Sequence, residues 1–194
     1  MNFIKQKIQD VILVEPKLLG DDRGYFVETF REDLLSQATG YNIRFCQDNE
    51  SKSIKGVLRG LHFQLPPFAQ SKLVRVIEGK VLDVAVDIRE NSPTFGQHVS
   101  VLLSEENKRQ LFIPRGFAHG FVVLSDTATF AYKVDNFYSK ECDRGLAFDE
   151  PKIGIDWGLP IEELNLSDKD NNQPSLAEIK NELKAFDYKL NLYA

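Results

Sequence analysis

The stretch GVLRGLHFQ, Gly56 to Gln64, sets a histidine on an apolar strand two residues after a glycine. A metal-binding barrel often begins this way, but an H-x-H pair would put its second ligand at position 64, where Gln64 stands. The only histidines are His62, His98 and His119, and their spacing is not clustered, so a three-histidine metal site is not expected. A lone histidine beside an apolar strand is more often a hydrogen-bonded structural residue. The neighbours of His62 argue for more: Gln64 shares its face, Lys72 opens the next strand, and Arg59 precedes it closely. A regular pleat would send Arg59 and His62 to opposite faces. A bulge at Gly60 would bring both inward.

Other polar groups lie in short segments that say little singly. DDRGYFVETF, Asp21 to Phe30, offers Arg23, Phe26 and Glu28, and RFCQDNE, Arg44 to Glu50, offers Gln47, Asp48 and Asn49. In YKVDNFYS, a regular strand would put Tyr132 and Tyr138 on one face, where tyrosines usually pack. LSDKD, Leu166 to Asp170, reads as a solvated loop, and His98, beside Gly96, as a surface residue.

The elements that must position these groups are mostly strands. From Val57 to Tyr138 the apolar pattern is short and two-residue in period. KLVRVIEGKVLDVAVDI, Lys72 to Ile88, reads as a hairpin turning at Glu78-Gly79-Lys80. In its second run Leu82, Val84, Val86 and Ile88 share one face, and Val81, Asp83, Ala85 and Asp87 the other. GQHVSVLLS and TATFAYKVDNFY add strands, punctuated by LPP, NSPTFG and IPRG. Many short strands with frequent turns mean a mainly β sandwich or barrel. Two helices are expected at the periphery. One follows Thr29 as N-cap and ends before Gly40. The other, about 175–187, starts with a Ser175–Glu178 capping box and buries Leu176, Ile179, Leu183 and Phe186.

The 194 residues suffice for one domain with a sizeable core, 42% apolar and 27% charged as in ordinary globular chains. A net charge of -5 with scattered Lys and Arg argues against nucleic acid or an anionic membrane as partner. No signal peptide or membrane-length apolar run is present, and Cys46 and Cys142 read as reduced thiols, so a cytoplasmic protein is expected.

IPRGFAHGF, Ile113 to Phe121, has the P-x-G-x-x-H shape of the second cupin motif, while GLHFQ keeps one histidine of the first. The scaffold thus resembles a cupin with a broken ligand set. In order along nearly the whole chain, DDRGYFVETF, QDN, GVLRGLHFQ, KLVRVIEG, IPRGFAHGF, YK…Y, GIDW and LSDKD resemble the dTDP-4-dehydrorhamnose 3,5-epimerase family. That resemblance implies a cupin-type jelly-roll barrel with a few peripheral helices, assembled as a homodimer and using no metal or other cofactor. It implies a dTDP-linked 4-keto-6-deoxyhexose as substrate, inverted at both carbons flanking the ketone. The implied roles are His62 as general base, Asp170 as its paired carboxylate, Tyr132 as the acid on the opposite face, and Lys72 beside the enolate oxygen. Arg23, Phe26, Glu28, Gln47, Asp48, Asn49, Arg59, His119, Asp143 and Lys169 match substrate-binding positions, and Tyr138 the aromatic that stacks on thymine. Asp143 stands where relatives often carry Glu, and Cys142 where histidine is more usual. The competing readings are a monoepimerase acting at one carbon, a non-catalytic nucleotide-sugar-binding cupin, and a metal-dependent cupin oxygenase, which Gln64 disfavours.

Overall fold

The computed structural model describes residues 1–193. Two antiparallel sheets face each other. The first runs, in spatial order, through β1 (Asn2–Lys5), β2 (Ile12–Glu15), β10 (Gln110–Ile113), β7 (Lys72–Glu78), β12 (Thr127–Val134) and β5 (Gln47–Ile54). The second runs through β13 (Asp143–Gly145), β6 (Leu58–Gln64), β11 (Phe117–Val123), β8 (Lys80–Asp87) and β9 (His98–Ser104). The chain alternates between the sheets, which makes a cupin-like jelly roll. A separate hairpin, β3 (Leu18–Asp21) with β4 (Gly24–Val27), pairs with neither sheet.

Period-two alternation sorts the side chains into layers. Val74, Val76 and Phe130 of the first sheet meet Val81, Ala85, Phe117 and Phe121 of the second in the barrel interior. Phe121 stacks on Phe130 at 4.0 Å between ring centroids. The other face of β8 carries Val84 and Val86, continued just past the strand by Ile88, as the alternation predicts, and packs under Trp157, Leu176, Ile179, Leu183 and Phe186. β11 is therefore buried along its whole length. On the outside of the first sheet, Ile12, Val14, Leu73 and Phe112 are covered by Leu35 and Ile43. No helix among the described residues is long and apolar enough to cross a membrane.

Several local expectations need correction. Lys72–Ile88 is not a hairpin: β7 and β8 pair with different strands in different sheets. Gly79 makes the corner at φ 80°, and a Cβ there would clash with the carbonyl oxygen of Thr127. A tight glycine turn between two apolar runs looks the same whether the strands pair or part.

Helix α1 (Glu32–Thr39) starts later than expected. Arg31, not Thr29, occupies the N-cap, and the Thr29 carbonyl instead accepts a 2.6 Å bond from Gln110 Nε2. Its end is as predicted, with Gly40 left-handed and its N–H bonded to Ser36 O.

The C-terminal segment keeps its Ser175–Glu178 box. It forms turns, then α3 (Lys180–Leu183) and a 3-10 turn (Lys184–Phe186), rather than one continuous helix over 175–187. Its four apolar residues are buried as expected, so packing on the barrel rather than helix propensity shapes it. His98 is half-buried against the Ile153 backbone, not free at the surface, and burial lowers its pKa.

Candidate active site

The polar residues gather where the edges β5 of the first sheet and β13–β6 of the second come together. Two adjoining hollows of about 450 and 340 Å³ share His62, Lys72, Tyr132 and Lys169. The larger adds Gln47, Asn49, Gln64, Tyr138 and Asp143, and the smaller adds Arg59, His119 and Asp170.

His62 and Arg59 face this space together because the strand is irregular. His62 pairs with His119, and Arg59 with Phe121, so β6 spends one more residue than β11 over that interval. Gly60 sits in the bulge at φ 134°, packed against Gly120, and a Cβ there would lie 2.5 Å from the Gly120 Cα. The bulge inferred from Gly60 is thus present, and Arg59 Nε reaches Ser53 Oγ across the opening at 3.2 Å.

His62 Nε2 lies 2.6 Å from Asp170 Oδ1. Asp170 sits in α2 (Asp168–Asn171), capped by Ser167, whose hydroxyl donates to Asp170 Oδ2 at 2.7 Å and accepts from the Asp170 N–H. Burial pushes the Asp170 pKa up, but hydrogen bonds from His62 and Ser167 outweigh it and leave the group below the ordinary carboxylate value. An ionised Asp170 accepts only, so Nε2 of His62 carries the hydrogen and Nδ1 carries the lone pair.

Tyr132 projects inward from β12, on the wall opposite His62. Burial raises its pKa, with Arg59 acting weakly the other way, so it remains a hydroxyl at neutral pH. Lys72 begins β7 beside it. Burial pushes the Lys72 pKa down to about 8, against the pull of Asp83 and Asp143, and the group stays mainly cationic at pH 7. His119 is buried, 3.0 Å from Asp83 Oδ2, and burial lowers its pKa despite that carboxylate.

The remaining expected residues divide. Asp143 pairs with Lys169 and accepts from the Tyr138 hydroxyl at 3.2 Å, so the shorter carboxylate still engages both. Tyr138 lines the cavity from a loop, because β12 ends at Val134; it does not share a strand with Tyr132. Asp48 points to the outer face of β5, paired with Lys133, whereas Gln47 and Asn49 face in and bond each other at 2.8 Å.

Arg23, Phe26 and Glu28 line neither hollow. Arg23 is exposed and bound to Asp21, Phe26 is 63% exposed on β4, and Glu28 lies near Arg31. Gln64 fills the second-ligand position by bonding the Phe68 and Phe137 carbonyls and the Ser139 N–H. Among the described residues, no cluster of three or more His, Cys, Asp or Glu side chains has the arrangement of a metal site.

Sequence reading passed over Ser167 and Asp83. The available signals were a serine three residues before Asp170, and a carboxylate inside a valine-rich strand.

A cupin-type barrel holding a His–Asp pair on one wall and a tyrosine hydroxyl and an ammonium on the other is an acid–base site. Residues 5–178 match the family model described as dTDP-4-dehydrorhamnose 3,5-epimerase, and the chain belongs to that family. It is 58% identical over 172 residues to the dTDP-4-dehydrorhamnose 3,5-epimerase of Shigella flexneri, covering 89% of this chain and 94% of that protein. It is 52% identical over 179 residues to that of Escherichia coli K12, covering 92% and 96%. Among solved structures, it resembles dTDP-6-deoxy-D-glucose-3,5-epimerase from Legionella pneumophila in complex with dTDP-4-keto-L-rhamnose. That pair shares 50% identity at a TM-score of 0.90, over 94% of this chain and 96% of the other.

Proposed function

We propose that this chain inverts both carbons flanking the ketone of dTDP-4-dehydro-6-deoxy-D-glucose, giving dTDP-4-dehydro-L-rhamnose. The observation that carries the reading is the placement of base and acid on opposite sheets. Nδ1 of His62 takes the proton from one carbon beside the ketone. The electron pair moves onto the ketone oxygen, and the Lys72 ammonium stabilises the enolate. Tyr132 delivers a proton to the other face of the same carbon, which inverts it. Asp170 holds the His62 ring and stabilises its imidazolium. Exchange with solvent restores both groups, and the second carbon follows by the same steps. Arg59 is suited to the diphosphate, and Tyr138 to stacking on the thymine.

The chain works as a homodimer in this reading. The β3–β4 hairpin leaves Leu18, Leu19, Tyr25 and Phe26 exposed, and it carries the family-matched Arg23, Phe26 and Glu28 away from the cavity. A second copy receiving the hairpin would cover that apolar surface and bring those residues to a site.

Turnover of dTDP-4-dehydro-6-deoxy-D-glucose in deuterated water, followed by NMR, tests the reaction. Deuterium at both carbons with the L-rhamno product is expected. Label at one carbon would reduce the chain to a monoepimerase, and no label would overturn the enzyme reading.

A further inference from the structure

Asp83 has no part in the chemistry above. It lies on β8 inside the barrel, with no solvent exposure. Its register partner on β11 is Phe121, two residues along from His119, which brings Asp83 Oδ2 to His119 Nε2. Its Oδ1 is buried with no hydrogen-bond partner among the described residues. Asp87, on the same face of the same strand, is equally buried, yet Arg89, Ser92 and Thr94 occupy its oxygens. A buried carboxylate that serves only the fold is normally satisfied, as Asp87 is.

We propose that Asp83 is a positioning residue for the reaction, fixing His119 as its Nε2–H tautomer through one oxygen and keeping Lys72 an ammonium through its charge. The proposal rests on the assignment of Lys72 to the enolate oxygen. Lys72 shares the two hollows with Glu50 from β5, Arg59 and His62 from β6, His119 from β11, Tyr132 from β12, Asp143 from β13, Lys169 and Asp170 from α2, and Tyr138, and Asp83 stands behind His119 at 3.0 Å. His62 becomes a cation during turnover, and Lys169 is one already. Asp143 divides its charge among Lys169, Tyr138 and Lys72. Asp83 is the stronger of the two carboxylates that oppose the burial of Lys72. Its second effect is on His119. Burial keeps that ring neutral, and a donated Nε2–H leaves Nδ1 as an acceptor, so His119 receives a hydrogen bond and does not act as an acid.

Asp83→Asn keeps the shape and a hydrogen bond to His119 but removes the charge. The alkaline limb of the kcat/KM profile should move down by about one pH unit, lowering kcat/KM at pH 8 by about fivefold. Affinity for dTDP at pH 7 should change less than about twofold, since the nucleotide half is held elsewhere. An alkaline limb that stays in place, with activity unchanged or uniformly lowered, would overturn the proposal.

If the variant does not fold, ¹⁵N NMR of the unaltered protein at pH 7 decides through His119. The Nε2–H tautomer is expected, and an Nδ1–H tautomer or a doubly protonated ring would overturn the proposal. A Lys72→Met variant with wild-type turnover would remove Lys72 from the mechanism. The titration of labelled Lys72, with and without Asp83→Asn, would still read the effect of Asp83 directly.

Discussion

Nδ1 of His62 is available because Asp170 claims the opposite nitrogen, so the tautomer and the ring orientation depend on one 2.6 Å contact. His62→Asn should abolish solvent exchange at both sugar carbons, a loss of about 10²–10⁴-fold, while binding of dTDP by isothermal calorimetry stays near wild type. Near-normal epimerisation with binding intact would falsify His62 as the base. Tyr132→Phe should differ in kind. The base remains, so deuterium enters from the face the proton left, and NMR should show exchange without inversion.

If Lys72 stabilises the enolate as proposed, it should set the alkaline limit of activity. Because its pKa is about 8, kcat/KM should fall as pH rises through that value. Stability should move the other way. The folded pKa lies below the unfolded one, so between about 8 and 10.5 the unfolded chain binds more protons and this group's contribution to folding rises with pH. Parallel pH profiles of activity and thermal melting, compared with Lys72→Met, would separate the two effects. None of these roles was legible from spacing alone. His62 and Asp170 are 108 positions apart, and LSDKD looks like any solvated loop until the fold carries it to β6.

At the scale of elements, the bulge in β6 is the device that turns a strand into a site. Gly60→Ala adds a methyl group at a backbone angle that L residues avoid and into the space held by Gly120. It should cost about 1–3 kcal/mol in backbone strain, with the clash in addition. A markedly lower melting temperature in scanning calorimetry, with loss of turnover, is the expected result. An unchanged melting temperature would mean that β6 relaxes without cost.

The bulge was readable because Arg59, Gly60 and His62 conflict with a regular pleat. Individual strands were readable because alternation is local. Sheet membership was not, since nothing near Gly79 says whether β7 and β8 pair with each other or with strands distant in sequence. The C-terminal apolar stripe was also legible, but its helix was not. Leu176, Ile179, Leu183 and Phe186 need only reach the barrel, and turns deliver them as well as a continuous helix does.

At the scale of the whole molecule, the β3–β4 hairpin pairs with neither sheet and exposes Leu18, Leu19, Tyr25 and Phe26. Light scattering at micromolar concentration should return the dimer mass. Phe26→Ser with Leu19→Ser should shift it towards the monomer and lower turnover, although neither residue lines the cavity of its own chain. A dimer unaffected by that pair of changes would locate the interface elsewhere.

The stacked rings of Phe121 and Phe130 carry a further consequence. They join the two walls that carry His62 and Tyr132, so the spacing between the proposed base and acid is set partly by the thickness of an aromatic pair in the core. Replacing either ring by a smaller apolar residue would leave a cavity costing about 3–5 kcal/mol and would also change the distance between the two walls. Both rings also line the smaller hollow beside His62 and Tyr132, so the packing of the core and the room left for a sugar are one variable rather than two.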